Sequence, residues 1–393
     1  MQAYLARSQQ LPLSIKFSCQ LRTSKDWDAE SDSSEAHSDS GEPGSCPCEP
    51  IWDALFSEKT RWKHFILDAR TGAHLPSFLE RIRGETFPAL ESFQMATWPL
   101  SLNEQGLELV APNLTQLRIR SHDNSPIPHS TLPRFFANLT MLELANFFFA
   151  FGNTERFLKV LQVASATLQV LVLRHGCFML EPSSTVLEAL LNVDLPRLSF
   201  LVLESVTDFQ DDSMHCVIPA LCRAARALDR LHILGSVLVP VSPLIYSGAL
   251  QLPTIRFLRY CISDDTDWHN FILTFPHLEE LQISEGDPTM LLKTAMSMDE
   301  TAVKSGGSMS WLHLRSLVLL GPNEYIALRF VQHRSRVGRP LHDLTYKGWF
   351  TPQAQSILKN LNVAFTPVRD SLAHGEDWTK DWIEYWRAVM GEL

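Results

Sequence analysis

Three signatures of common catalytic sites are missing from this sequence: G-x-G-x-x-G, G-x-x-x-x-G-K-[ST] and H-E-x-x-H do not occur. Glycine turns that cradle phosphates, and paired histidines that hold zinc, are therefore not expected. Cysteine is sparse, with seven residues scattered at 19, 46, 48, 177, 216, 222 and 261. An odd, dispersed set does not make a disulfide framework and fits reduced thiols. Cys46-Pro-Cys48 has no second pair and no histidine at zinc-finger spacing. Four ordered ligands are normally needed, so no metal is expected there. His74, His129, His232 and His269 are dispersed, and nothing pairs a nucleophile with its base. The expectation is a chain with no catalytic residues, no cofactor and no metal. Residues 1–20 lack a continuous apolar core and a small-residue cleavage site, so residence in the cytoplasm or nucleus is the expectation.

Positive charge is absent from residues 26–50, where eight acids (Asp26, Asp28, Glu30, Asp32, Glu35, Asp39, Glu42, Glu49) meet no Lys or Arg. Rich in Ser, Gly and Pro, this stretch has almost nothing to bury and reads as a disordered acidic loop. Asp39-Ser40-Gly41 with Ser45 resembles a phosphorylation-type signal, but Ser/Asp-rich sequence produces such patterns readily, and the plain reading is a solvated loop. Without those eight acids the net charge of −10 becomes −2. A near-neutral body lacks the basic footprint of a general nucleic-acid binder. Residues 231–255 carry no charge at all, a length that could cross a bilayer. His232, Gln251, several serines and Pro240, Pro243 and Pro253 argue against a membrane span, since lipid leaves such groups unsatisfied.

What the chain does have is a repeat. An apolar residue, followed at +3 and +5 by two more, returns every 23 to 36 residues. Its clear copies start at Leu114, Leu139, Leu168, Leu198, Leu228, Leu278 and Leu314, with looser ones at Trp62, Leu90, Ile255 and Leu341. A fixed-period repeat marks a solenoid, an architecture that holds other macromolecules. Residues two apart on a strand share a face, so +3 and +5 point into a core. Between motifs lie helical-period runs over 154–166, 184–193 and 289–303. The expected unit is strand, helix, parallel strand, with each inward Leu contributing roughly 1.5–3 kcal/mol of burial before ordering entropy is subtracted. Pro88, Pro112, Pro196, Pro253 and Pro276 precede motifs, where proline ends a helix and sets an extended lead-in. The sequons at Asn113 and Asn138 fall inside motifs and read as accidental in a chain with no secretory context.

The organisation follows: residues 1–25 hold a first strand, with Leu11, Leu13, Ile15 and Phe17 alternating; 26–50 are the acidic loop; 51–348 are the repeats; 349–393 close the chain. Trp378, Trp382 and Trp386 fall four apart, giving an amphipathic helix. It reads as a cap on the end of the array, which solenoids require, with a partner-docking helix as the alternative.

On a repeat strand, residues +2 and +4 face away from the core. The +2 column runs Gln116, Met141, Val170, Phe200, Arg230, Phe257, Glu280, and the +4 column Arg118, Glu143, Val172, Val202, His232, Arg259, Gln282. The expected protein-binding patch is Met141, Val170, Val172, Phe200 and Val202, bordered by Arg230, Phe257 and Arg259, because an apolar area rimmed by charge suits protein recognition. A one-residue slip in register would invert every assignment.

The motifs resemble irregular leucine-rich repeats. Tyr4-Leu-Ala-Arg-Ser8, Leu11-Pro-Leu-Ser-Ile15, Arg61-Trp62-Lys-His-Phe65-Ile-Leu67, Phe87-Pro-Ala-Leu-Glu-Ser-Phe93 and Phe275-Pro-His-Leu-Glu-Glu-Leu281 look like the body that follows the F-box in F-box/leucine-rich-repeat proteins of mushroom-forming fungi. The resemblance implies an α/β leucine-rich-repeat solenoid, curved, with parallel strands on the concave face and helices and loops on the convex one. It implies recognition of a protein partner through the concave face. In that family the F-box precedes the Leu11 strand; here Met1 stands three residues ahead of Tyr4, so the F-box is expected to be missing from this chain. A Skp-type adaptor is expected as a partner only if an F-box lies upstream. In that case the protein is the specificity subunit of a cullin-type ubiquitin ligase.

Overall fold

The computed structural model describes residues 10–19, 49–69, 75–97, 109–121, 136–146, 148–149, 151–178, 193–208, 217–234, 251–262, 267–307, 309–320, 324–347 and 350–368, with Leu5 and Ser8. Outside the described residues lie the acidic segment up to 48 with its cysteine pair, the run 184–192, residues 235–250 and the Trp378 helix. The chain forms two compact units. One is Met1–Leu198 with Val206–Met214; the other is Ser199–Ser205 with His215–Leu393.

In the first unit six parallel strands follow one another: β1 (Leu13–Cys19), β2 (Trp62–Ala69), β3 (Ser92–Thr97), β4 (Gln116–Ser121), β5 (Met141–Ala145) and β6 (Val170–Arg174). The second unit has seven: β7 (Phe200–Glu204), β8 (Arg230–Leu234), β9 (Phe257–Cys261), β10 (Glu280–Glu285), β11 (Ser316–Leu319), β12 (Asp343–Lys347) and β13 (Ala364–Val368). Every motif, clear or loose, supplies one of these strands. Equivalent motif positions pair: Phe65 with Phe93, Phe93 with Leu117, Leu117 with Leu142, and Leu231 with Leu258, Leu258 with Leu281. The register is therefore the one the repeat implies.

Helices return the chain between strands. They are α1 (Glu49–Phe56), α2 (Leu75–Ile82) and α3 (Phe151–Ala164) in the first unit. The second unit holds α4 (Val217–Ala224), α5 (Trp268–Thr274), α6 (Thr289–Ser305), α7 (Glu324–Arg336) and α8 (Pro352–Asn360). Their stops and starts are chemical. Asp267 caps α5 by accepting from the N–H groups of His269 and Asn270, the usual role of an N-cap carboxylate. Gly306 ends α6 at φ 70°, a left-handed cap that glycine adopts without strain. The helices pack on the +3/+5 face. In the first unit Phe65 stacks on Trp62 at 4.6 Å and on Phe78 of α2 at 5.4 Å. In the second, Phe271 of α5 lies 4.9 Å from Tyr260 and 5.2 Å from Phe275.

Neighbouring repeats are also tied at their lead-in turns. The +1 carbonyl accepts two N–H groups from the next repeat, as Thr115 does from Thr140 and Met141 and Asp229 does from Arg256 and Phe257. The sequon residues serve this stitching. The side-chain amides of Asn113 and Asn138 donate to the carbonyls of Pro88 and Pro112, each at 2.7 Å, and the Thr140 hydroxyl donates to the Thr115 carbonyl at 3.1 Å. At +7 the chain turns left-handed at Asn146, His175 and Ser205, with φ of 55°, 46° and 47°.

Two boundaries move. Leu11 precedes β1 and is exposed rather than half-buried, because the strand begins only at Leu13. The repeats run past residue 348: α8 and β13 add a further return and a strand paired in parallel with β12. No helix among the described residues is long and apolar enough to cross a membrane.

Candidate functional site

The sheet face opposite the helices carries the +2 and +4 side chains, so any site on it is assembled from residues about one repeat apart. In the second unit β8, β9 and β10 place two rows side by side: Arg230, Phe257, Glu280, and then His232, Arg259, Gln282. All six residues are half-buried. The Arg230 guanidinium lies over the Phe257 ring at 4.3 Å from its centre, a cation–π contact. Arg230 is also 3.8 Å from Asp229, but that carboxylate is engaged by Arg256 at 2.6 Å.

The electrostatics of the block follow from its neighbours. Burial first, then the charges of Arg259 and Arg230, bring His232 down to about 3, so its ring is neutral across the physiological range. Burial raises the Glu280 carboxyl above its ordinary value, while Arg230 pulls it back and Asp343 pushes it further up. The Gln282 Nε2 is enclosed with no acceptor among the described residues.

In the first unit the same face holds a buried carboxylate. Glu143 on β5 is 3% exposed and meets Arg120 at 3.1 Å, Arg174 at 3.5 Å and Arg118 at 3.7 Å. The arginines come from the strands on either side, β4 and β6. Such a carboxylate is tolerable only because it is paired.

Of the residues expected to form the patch, Arg230, Phe257 and Arg259 stand together on β8 and β9 and retain exposure, and Met141 on β5 is half-buried, with its sulfur 3.7 Å from Arg118 Nη2. The other four are nearly closed to solvent. Val170 and Val172 in the first unit, and Phe200 and Val202 in the second, lie on the expected face but are only 3–6% exposed. They form apolar layers rather than a surface open to solvent. The reason was visible in the chain. Val-Leu-Val-Leu and Phe-Leu-Val-Leu do not alternate with polar residues, and such runs mark strands buried on both faces. Column reading also passed over Glu143, whose signal was a lone acid among Arg118, Arg120 and Arg174, and over Gln282.

The Cys222 thiol is pushed up to about 12 by burial, which removes it as a nucleophile. Ser310 directs its hydroxyl to Asp299 rather than to His333, and all three are buried. Among the described residues no group of three or more His, Cys, Asp or Glu is placed to hold a metal ion. No protein-family model matches the chain, and no curated protein matches it.

Proposed function

We propose that this chain is a non-catalytic protein-binding module of the leucine-rich-repeat kind, which takes a protein partner on the sheet face opposite its helices. One observation carries the reading. Parallel strands ordinarily have both faces covered, yet β8, β9 and β10 carry Arg, Phe, Glu, His and Gln that are only partly covered on the second face. Arg and aromatic side chains held side by side are the composition of interface anchors. Intracellular residence, in cytoplasm or nucleus, belongs to the same reading.

The test is affinity capture followed by cross-linking with the full chain, comparing Phe257→Ser/Arg259→Glu with wild type and with Tyr325→Ser on helix α7. A partner kept by wild type and Tyr325→Ser but lost by the face variant, at unchanged thermal midpoint, supports the assignment. Equal capture by all three removes it.

A second reading, the specificity subunit of a cullin-type ubiquitin ligase, is supported by how the N-terminal motifs assemble. Arg61 donates to the Ser8 hydroxyl at 2.8 Å and to the Leu11 carbonyl at 2.9 and 3.0 Å, and β1 pairs with β2. Two of the stretches that resemble F-box/leucine-rich-repeat proteins, at Leu11 and at Arg61, are thus neighbours. Copurification of a Skp-type adaptor with the endogenous protein distinguishes this reading from a free-standing module.

A further inference from the structure

We propose that Arg230, Phe257, Arg259 and Gln282 form a docking site for a short acidic segment of the protein partner, its carboxylates taken by the two arginines. This rests on the reading that the face binds a protein, and it names the chemistry that the face selects.

The argument begins with Arg230. Its guanidinium is held on the Phe257 ring at 4.3 Å and donates no hydrogen bond to a described residue. Its Nε stands 3.8 Å from Asp229 Oδ2, too far for a hydrogen bond, while the other oxygen of that carboxylate bonds to Arg256, and Glu280 feels its charge from the same row. An arginine pre-positioned on an aromatic plane has lost much of its side-chain freedom already, so a carboxylate gains its hydrogen bonds at lower entropic cost. Arg259 stands on the next strand, one row along. His232, on the same face beside both arginines, is lowered first by burial and then by their positive charges, and two cations side by side attract anions. Gln282, directly across from Arg259, adds an amide N–H group without an acceptor. A buried donor left unmatched is unfavourable until something supplies an oxygen, which a peptide carbonyl or carboxylate does.

Size and surroundings narrow the occupant. Three strands at about 4.8 Å spacing span about 10 Å, the reach of about three extended residues. The adjoining +1 column alternates in sign, with Arg256 between Asp229 and Glu279. A long polyanion such as a nucleic acid needs a continuous basic track, and this rim interrupts one. Glu280 at the end of the first row sets a further limit, favouring a segment with one or two acids over a dense run.

The experiment measures fluorescence anisotropy of labelled hexaglutamate, hexalysine and a twelve-residue oligothymidine with the full chain, at low and physiological salt. The expected result is binding of hexaglutamate alone, weakened at least about tenfold by Arg230→Met, as for loss of a charge-assisted hydrogen bond. Lys304→Met, exposed near the end of α6, should leave it within about twofold. Should Arg230→Met fail to fold, Arg259→Met carries the same expectation. Failure of hexaglutamate to bind, equal binding by the arginine variants, or tighter binding of the oligothymidine would each overturn the proposal. A captured protein partner lost by Phe257→Ser but indifferent to Arg230→Met overturns it too, while leaving the protein-binding reading in place.

Discussion

Asp299, on α6, accepts two hydrogen bonds from Ser310, one from its backbone N–H and one from its hydroxyl, each at 2.7 Å. The second carboxylate oxygen faces His333 Nε2 at 3.4 Å and Arg334 Nη1 at 3.7 Å, both on α7. Arg334 in turn donates to the carbonyls of Ser310 and Trp311, each at 3.1 Å. The network closes the longest repeat interval, pinning the return from α6 into β11 to the helix that follows. Burial holds the Arg334 guanidinium below its ordinary range, and Asp299 opposes that shift.

Asp299→Ala should therefore be among the most damaging single changes in the second unit. It strands the buried Arg334 charge and two Ser310 donors, an uncompensated state worth about 3–5 kcal/mol. Urea unfolding followed by far-UV circular dichroism measures the loss. Asp299→Leu/Arg334→Met should recover part of it, because removing both charges leaves no orphan. A loss under about 1 kcal/mol would mean that the network is not holding the turn.

Ser205→Gly should stabilise the protein by about 0.5–1 kcal/mol. Ser205 sits at φ 47°, where an L-residue is strained by about 1–2 kcal/mol, and glycine recovers this less its larger unfolded-state entropy. Ser205→Val should destabilise by more, since a β-branched side chain suits that region least. The check is a shift of the urea midpoint at constant slope.

Stability should fall on acidification in a window set by His232. At pH 7 its imidazole is neutral in both folded and unfolded chains. Below about 6.5 the unfolded chain takes up a proton that the folded one refuses until about 3. Within that window the folded state loses roughly 1.4 kcal/mol per pH unit from this residue. His232→Gln should flatten the wild-type slope between pH 6 and 4 by that amount, while pH 7 to 8 is unaffected. Parallel slopes in the two proteins would show that the ring is accessible to protons.

Arg256 bridges two repeats, 2.6 Å from Asp229 and 3.8 Å from Glu279, but it is more than half exposed. Arg256→Ala should consequently lower stability by no more than about 1 kcal/mol, the ceiling for solvent-exposed pairs. The difference from wild type should shrink in 1 M salt, where the Debye length is about 3 Å. Thermal melts at two salt concentrations settle the point.

Much of this was legible along the chain because strand and helix periods are local. Leu142 and Leu144, or Leu231 and Ile233, are core residues on spacing alone, and each is buried. Gly306 and Pro276 mark a helix end and a strand lead-in by backbone sterics that need no partner. The candidate site was half legible. Arg230, Phe257 and Arg259 were picked out by column, yet the cation–π contact and the alternating rim of Asp229, Arg256 and Glu279 join residues from different repeats.

The sequence by itself determined the strands that its motifs mark, their register and which of their side chains enter the core, since each follows from a repeated spacing within a few residues. Only the tertiary structure decided exposure on the other face. Val172 and Arg259 occupy the same repeat position, and one is buried while the other is not. Solvent access depends on everything packed nearby, and no local period encodes that.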